Sequence, residues 1–122
     1  MPHRPLILSA SILGFLNVAL GALGAHALGL SGARLETWHT AGQYGLAHAL
    51  AALLAAILNA PRAGWLFITG ATLFSGSLYG LVLGGPKILG PITPLGGLGF
   101  LLGWLFLALD RREGALASGT PM

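Results

Sequence analysis

The side chains able to do chemistry in this 122-residue chain are few, and most lie inside long apolar runs. Asn17, Tyr44, His48, Ser75 and Tyr79 fall within such runs, while His26, Trp38, His39 and Thr93 fall near their ends. A histidine buried beside hydrogen-bonding neighbours can relay protons, because its protonation changes near neutral pH. Relays of that kind usually pair it with a carboxylate, and the three Asp and Glu residues, Glu36, Asp110 and Glu113, lie outside the runs. Two histidines on neighbouring helices could instead ligate haem. His26 and His39 meet the depth condition, but each lies off the small-residue face of its segment, so both are read as rim anchors and no cofactor or metal is expected. Without cysteine, thiol catalysis and thiolate metal sites are excluded.

The elements that must position these residues follow from the charges. Six Lys/Arg and three Asp/Glu cut the chain into uncharged runs at 5–33, 37–61, 63–86 and 88–109. Each is long enough to cross a hydrocarbon core about 30 Å thick. Inside that core the backbone must satisfy its own polar groups, so the runs are helices. The expected fold is all-α: an integral-membrane four-helix bundle in one domain, with spans at about 6–28, 37–59, 63–83 and 94–109 and a fraying tail at 110–122. A mean hydropathy of +0.82 and 7% charged residues exclude an ordinary soluble domain. The apolar stretch 6–28 is too long for a signal-peptide core and is read as a retained span.

The basic balance is a topology signal. Arg4, Arg62, Arg111 and Arg112 fall on one side, against Arg34 and Lys87 on the other, which places both termini in the cytoplasm. The expected location is the plasma (inner) membrane. No continuous basic stripe exists, so no nucleic-acid partner is expected.

Membrane helices pack through small residues that let backbones approach. Gly14, Gly21 and Gly24, with Ala10 and Asn17, form one stripe on span one; Gly76 and Gly80 mark span three, and Gly99 and Gly103 mark span four. On span two, Thr37, Ala41, Tyr44, His48, Ala52 and Ala55 share one face, and Leu46, Leu50, Leu53, Leu54 and Ile57 share the other. The first face should point inward; the second should meet lipid or another copy of the chain. At 1.5 Å per residue, Asn17, His48 and Ser75 lie at similar depths of about 16–18 Å, with Tyr44, Ser77 and Tyr79 at about 21–24 Å. His48 is therefore expected to bond Asn17, Ser75 or Tyr44. Trp38 and Trp65 read as aromatic-belt residues, Trp104 as one set deeper, and Thr93 with Pro94 as cap and first residue of span four.

Several of these features fall into ordered motifs. They are Gly21-Ala-Leu-Gly-Ala-His26, Trp38-His-Thr-Ala41 with Tyr44, and His48-Ala-Leu50. Leu73-Phe-Ser-Gly-Ser-Leu-Tyr79, Ile92-Thr-Pro-Leu-Gly-Gly97, Phe100 and Gly103-Trp104 complete the set. The chain resembles the YgdD/YwdK family of small four-span membrane proteins over nearly its whole length. That resemblance implies the four-span fold but transfers no catalytic or ligand-binding residue, because the family is one of unknown function. Three functions compete: a non-enzymatic structural or accessory membrane protein, packed on itself or on a larger membrane complex; a small carrier or channel for a proton or neutral solute using His48, Asn17 and Tyr44; and an enzyme acting on a lipid or quinone at the outer rim. With no convergent nucleophile, acid and base in the chain, the first is preferred, with membrane lipids and a second copy of the chain as the expected partners.

Overall fold

The computed structural model describes residues 3–118, and the side chains of residues 3–110. Four helices follow one another: α1 (Arg4–His26), α2 (Gly32–Ile57), α3 (Pro61–Val82) and α4 (Leu89–Ser118). All four are long and apolar enough to cross a membrane. The helices run antiparallel in sequence order, α2 and α3 forming the central pair. α1 packs on α2 and, less extensively, on α3; α4 packs along α3.

The turns explain the boundaries. After α2, Asn59 takes a left-handed conformation (φ 58°), its N–H bonds Ala56 O and the Ala60 N–H bonds Ala55 O. This paired closure satisfies carbonyls that a helix end otherwise leaves open. Pro61 then starts α3 at the position where its missing N–H costs nothing. Gly84 (φ 88°) repeats the closure after α3, with Gly85 N–H on Gly80 O. Here a side chain would be strained, which is why glycine stands at this turn.

Three ends differ from expectation. α2 begins at Gly32, with Ser31 extended at its N-cap but making no side-chain cap bond, so the first connector is shorter than 29–36. α4 begins at Leu89, and Pro94 lies within it, so Thr93 is no cap. Pro91, third in the helix, gives up no helical hydrogen bond; Pro94, sixth, removes the N–H that would otherwise bond Gly90 O, and Thr93 Oγ1 bonds Leu89 O one turn back. The helix also runs on to Ser118 where a frayed tail was expected; the side chains of Arg111 and Arg112 lie outside the described residues.

Two cores fill the bundle. At the end holding the α2–α3 turn, Leu6, Ala10, Ala52, Ala55, Ala63, Phe67 and Leu107 pack together. At the other end, Trp38, Ala41, Tyr79 and Val82 form the second core. Alanine and glycine dominate the central contact because lipid offers no hydrophobic gain, and close backbone approach supplies the attraction instead. The tightest crossing joins α3 to α4: a Cβ on Gly70 would lie 2.8 Å from Gly96 O, and one on Gly99 3.0 Å from Gly70 Cα. Ser77 and Thr93 add a 2.5 Å hydroxyl pair along the same seam. At the end where the chain starts, His3 bonds Asn59 and Arg62 pairs with Asp110 at 2.5 Å, gathering α1, the α2–α3 turn and α4.

The span-two faces separate largely as the periodicity indicates. Ala41, His48, Ala52 and Ala55 are buried, and Leu46, Leu50, Leu54 and Ile57 are exposed. Leu53 departs from its face and packs half-buried against the alanine core. Of the glycines expected at helix contacts, Gly14, Gly24, Gly80, Gly99 and Gly103 have neighbours within 4 Å of an added Cβ. Gly21 and Gly76 have none and border open grooves instead.

Candidate functional site

Apart from the Ser77–Thr93 pair in the α3–α4 seam, the buried intramembrane polar residues form two separate clusters. The first lies between α1, α2 and α3. Tyr79 donates its hydroxyl to Asn17 Oδ1 at 2.8 Å, which leaves Asn17 Nδ2 to donate to Leu13 O at 2.9 Å. Asn17 is buried because α2 offers Gly45 at this level: any Cβ there would collide with the Asn17 amide. Gly24 makes the same provision for Trp38, whose indole ring occupies the space a Cβ would take. Trp38 Nε1 donates to Leu20 O at 2.7 Å, and the ring meets Tyr79 edge-on with centroids 4.6 Å apart. Ser75 Oγ closes the cluster by donating to Ala41 O at 2.7 Å.

Trp38 thus packs inside the bundle and is not turned outward as an aromatic-belt residue would be. It is 1% exposed and among the most deeply buried large side chains, because a glycine and an accepting carbonyl on α1 receive both its bulk and its N–H. His26 and His39 are exposed near the same end. Thr93 is half-buried in the α3–α4 seam with Ser77.

The second cluster joins α2 to α4. The two helices have little direct backbone contact, and aromatic rings bridge them. His48 is 7% exposed; its ring lies on Phe100 with centroids 3.6 Å apart and planes 11° from parallel. Its Nδ1 faces the Tyr44 carbonyl at 2.8 Å, so Nδ1 carries the proton and donates. Its Nε2 then accepts from Trp104 Nε1–H at 3.1 Å. Both ring nitrogens are engaged, and a proton or metal arriving at Nε2 would have to displace an indole N–H. His48 does contact Tyr44, through the backbone carbonyl; it bonds neither Asn17 nor Ser75, which belong to the other cluster.

Tyr44 is 47% exposed rather than turned inward. Its ring runs parallel to those of His48 and Phe100, at centroid distances of 6.3 and 6.2 Å, and it packs against Phe74. Its hydroxyl has no hydrogen-bond partner among the described residues. With Thr40, Phe74, Gly97, Phe100 and Trp104 it lines an open groove of about 380 Å3 between α2 and α4.

Trp104 and Phe100 are the site residues that pattern reading underweights. Counting down span four from Pro94 puts Trp104 about 15 Å deep, level with His48. That coincidence of depth is the available signal. Among the described residues, no group of three or more His, Cys, Asp or Glu side chains is arranged to hold a metal ion.

Fold and site together define a small polytopic membrane protein with a glycine- and alanine-packed interior and two hydrogen-bonded polar clusters. The chain belongs to the family described as "Protein of unknown function (DUF423)", which matches residues 20–97. The UPF0382 membrane protein YwdK of Bacillus subtilis (strain 168) is 42% identical over 115 residues, covering 84% of this chain and 92% of that protein. The UPF0382 membrane protein SAB0533 of Staphylococcus aureus (strain bovine RF122 / ET3-1) is 44% identical over 110 residues, 80% of this chain and 90% of its own. A fungal relative, the UPF0382 membrane protein C1782.12c of Schizosaccharomyces pombe, is 44% identical over 108 residues, 78% of this chain and 91% of its own. No solved structure matches the chain. The family resemblance carried by the motifs is therefore correct.

Proposed function

We propose that the protein is a non-enzymatic accessory or structural component of the plasma membrane, with both termini in the cytoplasm and a tendency to pair with itself or with a larger complex. One observation carries the reading: the buried polar side chains spend their hydrogen bonds inside the bundle. Asn17, Ser75, Ser77 and Tyr79 bond neighbouring helices or their own backbone, and His48 uses both ring nitrogens. A carrier would need Asn17 and His48 to share a path, yet they sit in different clusters. The charge asymmetry, with Arg4 and Arg62 at one end and Arg34 and Lys87 at the other, supports the orientation. The exposed row Leu46, Leu50, Leu54 and Ile57 supplies a face for a second copy.

Reconstitution into liposomes tests the carrier alternative directly. The expected result is no proton flux above that of empty vesicles under an imposed pH gradient. A flux abolished by His48→Gln, in a variant that keeps its helicity, would overturn the accessory reading. For orientation, a reporter active only in the cytoplasm should report when fused to the C-terminus, and silence there with a bright periplasm-active counterpart would reverse it.

A further inference from the structure

We propose that the groove between α2 and α4 binds the ring of a lipid-soluble quinone, with the Tyr44 hydroxyl donating to a ring carbonyl. The proposal goes beyond the accessory role and requires no chemistry at the site. It begins with the gap itself. The consecutive pairs α1–α2, α2–α3 and α3–α4 are closed by backbone contact, whereas α2 and α4 have little of it and are bridged by aromatic rings, beside which a groove of about 380 Å3 is left. That volume is within the roughly 300–1,000 Å3 typical of small-molecule sites, which are likewise apolar with a few placed polar groups.

The lining specifies the shape of the occupant. Tyr44, His48 and Phe100 present near-parallel rings, and Phe74 and Trp104 close the sides. Such walls favour a flat π-system, through offset or edge contacts, over a flexible alkyl chain. Gly97 keeps the floor open: a Cβ there would meet nothing within 4 Å, so close helix packing does not explain the missing side chain.

The hydroxyl specifies the chemistry. Trp38, Tyr79 and Trp104 each donate to a protein acceptor, whereas the Tyr44 phenol has none among the described residues. An occupant of the groove must therefore bring an acceptor of its own. A quinone carries both the flat ring and the carbonyl.

The test uses the full chain in phosphatidylcholine nanodiscs, titrated with a decyl-substituted benzoquinone. Quenching of tryptophan fluorescence is read in a Trp65→Phe background, which leaves Trp104 in the groove and Trp38 sealed in the core. Quenching should saturate, Gly97→Leu should remove the saturable component, and Tyr44→Phe should weaken binding about fivefold, the worth of one neutral hydrogen bond. Strictly linear quenching in the parent, or equal saturation in Gly97→Leu, would overturn the proposal. So would equal competition by a straight-chain hydrocarbon, which would make the groove an acyl-chain seat. A shift in oligomeric state with Gly97→Leu, without effect on the quinone, would overturn it in favour of a second copy covering the groove. If Gly97→Leu loses its helicity, Tyr44→Phe decides, and an unchanged affinity there refutes the site.

Discussion

The two polar clusters solve the same problem, a hydrogen-bonding group in hydrocarbon, by different means. Around Asn17 and Trp38, each bulky side chain is matched to a glycine on the facing helix, Gly45 and Gly24, so shape and hydrogen bond are fixed together. Around His48, the partner helices stand apart and stacked rings span the distance, leaving Tyr44 and Trp104 half-exposed. The first arrangement is closed and intolerant of added volume. The second holds its histidine firmly while keeping room beside it. The difference teaches that intramembrane polar residues of similar depth need not form one site: the facing glycines decide which of them are sealed.

The comparison breaks most visibly at Trp38. Trp38→Ala would empty the Gly24 slot and leave the Tyr79 edge without its ring partner, and truncating a buried tryptophan costs about 3–5 kcal/mol. Unfolding in mixed micelles should register a loss in that range. A change below about 1 kcal/mol would mean the slot is not closed in the way described.

Gly45→Ala tests the steric matching itself. The new methyl meets the Asn17 amide, and overpacking of this kind costs about 1–3 kcal/mol. Asn17→Ala removes the obstruction, so the double variant should be less destabilised than the sum of the two single ones. Strict additivity in that cycle would show that Asn17 and Gly45 are not in contact.

At the second cluster the expected effects are smaller. His48→Leu strands the Trp104 N–H and should cost on the order of 1–2 kcal/mol, while His48→Gln, which keeps an acceptor, should retain most of the stability. Trp104→Phe in the His48→Leu background removes the stranded donor and should recover part of the loss. If His48→Gln and His48→Leu are equally damaging, the Trp104 bond is not what the ring contributes.

Much of this was legible in the sequence, and the exceptions have physical causes. The uncharged runs give four spans, because hydrocarbon forbids any other backbone solution at that length. The small-residue stripe of span one holds in part: Ala10, Asn17 and Gly24 are buried, while Gly14 is half-buried and Gly21 borders an open groove. Trp38 reads as a rim residue because composition and depth cannot reveal a slot made by a glycine on another helix. Asn17 and His48 read as a pair because depth fixes one coordinate only; their helices bring them to different sides of the α2–α3 pair. Thr93 reads as a cap because prolines at 91 and 94 resemble a loop, although the opening turns of α4 absorb both. Tyr44 reads as inward because it shares a helical face with His48, yet the space that face meets is a groove.

The sharpest contrast between the clusters comes from one chemical change made in each. Tyr79→Phe removes a hydroxyl that donates to Asn17 Oδ1 inside the closed cluster, leaving a buried amide oxygen without its donor. Hydrogen bonds between membrane helices average about 0.6 kcal/mol and reach about 1.7, and this variant should fall in that span. Tyr44→Phe removes a hydroxyl that no described residue accepts, so nothing inside the bundle is stranded. The ring contacts with His48, Phe74 and Phe100 survive in phenylalanine. Stability should therefore change by less than about 0.5 kcal/mol, as for substitutions away from any buried partner. Parallel unfolding of the two variants measures the difference, and a Tyr44→Phe loss equal to that of Tyr79→Phe would place an unseen intramolecular acceptor at Tyr44 and close the groove that sets the second cluster apart.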